Sequence, residues 1–287
     1  CISGTITNMT VGDNLVGSFA SQSPQVTNMT FGSNSSFDTS SNARYSNLTL
    51  GVNNNFLSSA FYGTEITNLI MPAPTSVSEA STFAGSGHFQ LNNISALPAY
   101  FSSSFVNSLP SSIFSNNAFS GNITLPSNIL TLNSYCFSFN SLTGITNALP
   151  AYNIAVGEYA FQYNNFTSIP DFLGGISTGV LPTGLFRNNN FTSITIDATN
   201  SPWLRRIDSY CFAYNSSLTT LSFDAANTNH QSNFLSTYSF RNCNISSVTF
   251  LSTGTGSWST STLGAAVFLG NNLSALPTGL YGTGSVV

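Results

Sequence analysis

The chain reads as one repeat solenoid, mainly β, in which about twelve coils stack along residues 1–287 and set their short strands side by side in one parallel sheet. Three observations predict it. The first is a frame: a Phe, an Asn three residues later, an apolar residue two further on, then Ser or Thr, then a second apolar residue. It occurs at Phe161 (Asn164, Phe166, Thr167, Ile169), Phe186 (Asn189, Phe191, Thr192, Ile194), Phe268 (Asn271, Leu273, Ser274, Leu276) and Phe89 (Asn92, Ile94, Ser95, Leu97). The second is spacing. Phe19, Phe37, Phe61, Phe89, Phe114, Phe137, Phe161, Phe186, Phe212, Phe240 and Phe268 mostly follow one another at about 23–28 residues, the first step being shorter. The third is composition. The chain is 41% apolar with 24 Phe, yet only 5% charged, where a soluble domain has roughly 25%.

Each part of a coil has a physical reason. The segment after the Phe alternates as a strand does, as in Ile66-Thr67-Asn68-Leu69-Ile70-Met71, Phe191-Thr192-Ser193-Ile194-Thr195-Ile196 and Ile245-Ser246-Ser247-Val248-Thr249-Phe250. A copy at Ile6-Thr7-Asn8-Met9-Thr10-Val11 precedes the first Phe. Five residues before the Phe stands a second apolar position: Leu109, Leu132, Val156, Leu181, Ile207, Leu235 and Leu263. No coil could bury these alone; stacked coils could, at about 1.5–3 kcal/mol per side chain. The Asn of the frame (Asn92, Asn117, Asn140, Asn164, Asn189, Asn215, Asn271) can both donate to and accept from peptide groups that a tight turn leaves unpaired. Pro72, Pro98, Pro126, Pro150, Pro170 and Pro277 stop the strands. No helical period and no linker appear, so residues 1–287 form a single domain.

The charge balance narrows function. Lys is absent, the cations are Arg44, Arg187, Arg205, Arg206 and Arg241, and the net charge is −4, which leaves no basic footprint for nucleic acid. No apolar run approaches the roughly 18 residues of a membrane-spanning helix. Of the Cys residues, Cys136 and Cys211 occupy the slot before a repeat Phe, so they read as buried thiols about 14 Å apart, too far for a disulfide. Cys1 is open to two readings: a lipid-anchored N-terminus, or simply the residue at which this sequence starts.

The frame apolar–x–x–Tyr–Ala–Phe, seen in Val156-Gly157-Glu158-Tyr159-Ala160-Phe161 and in Ile207-Asp208-Ser209-Tyr210-Cys211-Phe212, resembles the BspA-like branch of leucine-rich-repeat surface proteins. Cys243 stands where that family has Cys and the other coils here have Asn. The resemblance covers nearly the whole chain, weakly before Phe61. It implies a secreted or surface-attached protein used in adhesion, host contact or coaggregation.

Catalytic chemistry finds no foothold. His88 and His230 lie more than five coils apart, Asp171, Asp197, Asp208 and Asp224 fall in different coils, and there is no phosphate loop, zinc spacing or serine-nucleophile motif. The expectation is a non-enzyme without metal or cofactor. Sequons stand at Asn8, Asn28, Asn34, Asn47, Asn93, Asn122, Asn165, Asn190, Asn215, Asn244 and Asn272. A chain this rich in Asn, Ser and Thr would hold about as many by chance, so position is the better guide. Asn93, Asn165, Asn190, Asn244 and Asn272 sit at a turn before the strand, and Asn8, Asn28 and Asn47 point outward from strands. Glycosylation and a bare polar ladder both fit.

Three functions could use such a face: a structural fibre, an adhesin for glycan or protein ligands, and an ice-binding ladder. Ala96, Pro98, Ser168 and Pro170 interrupt the ladder and disfavour the last. The leading expectation is an extracellular, glycosylated subunit that stacks head to tail into a surface filament. The ends to be joined are Cys1, Ile6, Met9 and Val11 on one side and Leu273, Leu276, Val286 and Val287 on the other. The alternatives are a surface adhesin, and a longer protein whose caps lie outside this sequence.

Overall fold

The computed structural model describes residues 5–17, 25–37, 43–146, 153–197, 201–224, 233–251 and 263–275. Cys1, Phe19, His230, Leu276, Val286 and Val287 lie outside the described residues. Every strand pair described is parallel. The longer strands form three ribbons: Thr5–Val11, Gln25–Phe31, Arg44–Leu50 and Asn68–Ile70; then Ser120–Thr124 and Ser141–Thr146; then Ser193–Ile196, Thr220–Asp224 and Ser247–Leu251. A second course of each coil carries two-residue strands, among them Ser36–Phe37, Asn55–Phe56 and Thr82–Phe83, and later Ser108–Leu109, Thr131–Leu132 and Ala155–Val156.

The expected single sheet is therefore three ribbons, and fewer coils carry a paired strand than the dozen expected. The breaks fall at Ile94–Leu97 and at Phe166–Ile169, and the reason is the place of one proline. Thr195 and Thr249 stand four residues after Phe191 and Ile245, the first apolar residues that follow the frame Asn or Cys, and lie in mid-strand. Pro98 and Pro170 occupy that same slot. Proline has no N–H for the ladder, and both open short 3₁₀ turns, Ala99–Ser102 and Asp171–Gly175.

The Phe column forms as expected over most of the molecule. Ring centroids lie 5.8 Å apart from Phe114 to Phe137, 6.2 Å to Phe161, 6.1 Å to Phe186, 5.6 Å to Phe212, 5.4 Å to Phe240 and 6.1 Å to Phe268, all stacked. Phe37 is a correction. It registers with Phe56 and Phe83 in the second course, not with the Phe61–Phe89 stack. The first coils are shorter, with ladder partners 20 and 19 residues apart, which shifts that ring within the coil.

The residues two before and two after the column Phe have positive φ in coil after coil: Ser112 and Asn116, Tyr135 and Phe139, Tyr159 and Tyr163, Tyr210 and Tyr214, Tyr238 and Asn242. Each such non-glycine residue costs about 1–2 kcal/mol. The alternation turns three N–H groups per coil toward the next one: Tyr159 N to Thr183 O at 2.9 Å, Phe161 N to Leu185 O at 3.2 Å and Tyr163 N to Arg187 O at 2.8 Å. Frame Asn residues supply the rest. Asn164 Nδ2 donates to the carbonyls of Phe137, Phe161 and Gln162, and its Oδ1 accepts from Leu142 N at 2.9 Å.

Candidate ligand-binding cleft

The second break opens a cleft of about 550 Å³. Its floor is the strand Ser193–Ile196 and the unpaired segment Thr167-Ser168-Ile169; its wall is Pro170, Asp171, Gly174 and Trp203. Ser193–Ile196 pairs on one side with Thr220–Asp224, and the edge toward the cleft has no strand partner among the described residues. Alternation sends Ile194 and Ile196 into the core and leaves Ser193 and Thr195 exposed, as are Thr167 and Ser168 opposite. Trp203 lies against Gly174, where a Cβ would meet its indole Cδ1 and Nε1 at 3.5 Å, an ordinary contact distance. The indole is half-buried. Asp171 is exposed and makes no ion pair among the described residues. The side chains lining this cleft are thus one indole, one carboxylate, several hydroxyls and the apolar Ile169, Pro170, Phe191 and Ile194, with no cation among the described residues.

A smaller cleft, about 380 Å³, lies where the second-course strands Thr82–Phe83 and Ser108–Leu109 fail to pair, with Phe105 at its rim. Tyr100 Oη, which lines it, donates to Ser81 O at 3.0 Å.

A family model for the BspA-type leucine-rich repeat region matches residues 56–168 and 147–274, in six copies. The chain belongs to the BspA-type leucine-rich repeat family. Neither curated proteins nor solved structures yield a match. The BspA-type match begins at Phe56, beyond the shorter first coils, which agrees with the weak resemblance before Phe61. BspA-type solenoids are typically surface-associated interaction scaffolds and not enzymes. Among the described residues no three His, Cys, Asp or Glu side chains gather as metal ligands, and no helix is long and apolar enough to cross a membrane.

The Cys slot typical of BspA-type repeats is used as a hydrogen-bond position. Cys243 Sγ lies 3.2 Å from Phe212 O, the place that Asn215 Nδ2 takes toward Phe186 O and Asn271 Nδ2 toward Phe240 O. A thiol cannot replace the amide's acceptor, and Leu218 N instead finds Asn215 O at 3.0 Å. Burial pushes the Cys243 thiol up to about 12 and the Cys136 and Cys211 thiols still higher, so all three are inert and free. His88 is fully buried and packs beside Phe56 and Phe83 at ring distances of 6.3 and 5.5 Å.

The sequons divide. Asn8, Asn34, Asn93, Asn122, Asn190, Asn244 and Asn272 are exposed; Asn28, Asn47 and Asn165 are half-buried. Asn8, Asn28 and Asn47 share one register and bond side chain to side chain, at 2.8 and 2.7 Å. Asn190 Nδ2 donates to Asn165 Oδ1 at 2.9 Å, and Asn272 Nδ2 to Asn244 Oδ1. Asn215 must be struck from the glycan candidates. It is fully buried and its Nδ2 donates to Phe186 O and Phe212 O, so the frame role excludes a sugar in the folded chain. Of the proposed joining ends, Ile6, Met9 and Val11 lie half-buried on the first strand, which among the described residues pairs only with Gln25–Phe31, and Leu273 packs half-buried against the core.

The cleft was not legible as a site. Trp203 and Asp171 are 32 residues apart in sequence, and only the stacking of neighbouring coils brings them to one wall. The signal that could have found it was Pro170 in the mid-strand slot.

Proposed function

We propose that this protein is a non-enzymatic extracellular recognition scaffold of the adhesin type, which holds its ligand in the cleft between Phe166–Pro170 and Ser193–Ile196. The observation that carries the reading is the second break between the ribbons, where an open strand edge, an indole and a carboxylate without an ion pair among the described residues meet. Ligand sites gather where a regular scaffold leaves a concavity with a few convergent polar groups. The remainder of the face, Thr220, Ser222, Ser247 and Thr249 in register with Ser193 and Thr195, extends the polar floor.

Arrays of extracellular glycans and matrix proteins, probed with purified protein and with a Ser193→Arg/Thr195→Arg variant that fills the cleft, test this. Binding that the double variant abolishes without a change in Tm is expected. Equal binding by both proteins would remove the cleft from the function.

A second reading, a subunit that stacks end to end into a filament, draws on Thr5–Val11. Among the described residues this strand pairs on one side alone, and it carries the half-buried Ile6, Met9 and Val11. Sedimentation at micromolar concentration tests it: a stable monomer rejects the filament. Glycans on the exposed sequons belong to the same extracellular reading, with Asn8, Asn34, Asn93, Asn122, Asn190, Asn244 and Asn272 the exposed positions. A mass that does not fall on glycosidase treatment rejects them.

A further inference from the structure

We infer that the ligand of this cleft is a neutral saccharide, with one sugar ring against the Trp203 indole and adjacent hydroxyls bonded to Asp171. The inference rests on the cleft being the ligand site. It follows from the chemistry of the walls. A volume of about 550 Å³ falls in the range of roughly 300–1,000 Å³ that small-ligand sites occupy. A sugar presents an apolar face of C–H groups and a rim of hydroxyls. The first matches an aromatic ring, the second a set of donors and acceptors spaced around it.

Trp203 supplies the ring, which lies half-buried beside Gly174. Asp171 supplies two acceptor oxygens that one carboxylate can offer to neighbouring hydroxyls, as charge-assisted bonds roughly twice as strong as neutral ones. Ser168, Ser193 and Thr195 are exposed around the floor and can both donate and accept.

The walls also exclude other ligand classes. No Arg or Lys lines the cleft, so an anionic ligand would meet only Asp171. An extended peptide could add to the open edge of Ser193–Ile196. It would make no use of a carboxylate and an indole on the side wall, and the side chains exposed on this floor are the hydroxyls of Thr167, Ser168, Ser193 and Thr195. Glycoside cleavage needs a pair of carboxylates about 5–10 Å apart. Asp171 is the single carboxylate among the residues that line the cleft, so the sugar is bound and not cut.

Emission from Trp203 reads the site directly. The chain has two Trp, and Trp258→Phe leaves Trp203 as the sole source. That protein is titrated with methyl glycosides of neutral hexoses and N-acetylhexosamines, and with their short oligomers. The expected result is a saturable emission change with at least one of them. Asp171→Asn, at an exposed position, should weaken it at least tenfold with no change in Tm. Trp203→Phe keeps ring packing on Gly174 and should weaken it less than Trp203→Ala, read by calorimetry.

A saccharide that binds equally well to Asp171→Asn and Trp203→Ala overturns the placement. No response to any saccharide, with a protein ligand still lost in the cleft-filling double variant, overturns the sugar while the cleft stands. No ligand sensitive to either set of variants overturns both.

Discussion

At the scale of single residues, the frame Asn and the column Phe carry the fold, and the two can be separated by measurement. Asn164→Ala removes an amide that satisfies three carbonyls and one N–H in a buried turn. Leaving such groups unmade costs about 1–3 kcal/mol each, so a loss of about 3 kcal/mol or more in denaturant melts is expected, with Asn164→Asp no better because it cannot donate. Phe161→Ala should cost about 3–5 kcal/mol by the cavity it leaves between Phe137 and Phe186.

His88 makes a pH prediction. Burial among Phe rings pulls its pKa down to about 4 from 6.5, against a weaker upward pull from the Ala84 backbone. The unfolded chain therefore binds a proton that the folded chain refuses between these values. Stability should fall as pH drops from about 6.5 to about 4, by on the order of 3 kcal/mol at about 1.4 kcal/mol per unit. In His88→Phe this slope should disappear; a slope that survives the substitution would assign it to carboxylates instead.

At the scale of elements, coils differ in what they can lose. Among the described residues Arg44–Leu50 is paired on both sides, while Thr5–Val11 is paired on one side and its apolar residues are half-exposed. Hydrogen exchange should report this as faster exchange through Thr5–Val11 than through Arg44–Leu50. Equal protection would mean that the first edge is covered in solution, which is what the filament reading requires. The turn course is equally specific. A Cβ at Gly184, which has φ of +63°, would lie about 2.0 Å from the ring of Tyr159. Gly184→Ala is expected to lower stability by at least about 1 kcal/mol through strain and the clash, and Tyr159→Ala in the same chain should recover part of it.

At the scale of the whole molecule, near absence of charge shapes the response to solvent. Two ion pairs stand among the described residues, Arg44 with Glu65 and Arg206 with Asp208, and both are partly or largely exposed. Exposed pairs contribute about 0–1 kcal/mol and salt screens them. Raising NaCl from about 0.05 to 0.5 M should therefore shift Tm by no more than about 2 °C. A larger shift would point to an electrostatic term that two ion pairs do not contain.

The sequence by itself determined the repeat, and through it the family, the Phe column from Phe114 to Phe268, the Asn ladder and the burial of Cys136 and Cys211. These are local rules applied many times, and each copy supports the next, so the period shows them even where one copy is poor. Tertiary structure decided what depends on neighbouring coils. It placed Phe37 with Phe56 and Phe83, because coil length sets which residue of one coil lies above which residue of the next. It took Asn215 out of the surface sequons, because the same residue type serves the frame and the sequon. It divided one sheet into three ribbons, because a proline in mid-strand removes an N–H that only the adjacent strand would have used. And it assembled a cleft from Asp171 and Trp203, which share no motif and meet because stacked coils place residues of separate turns on one wall.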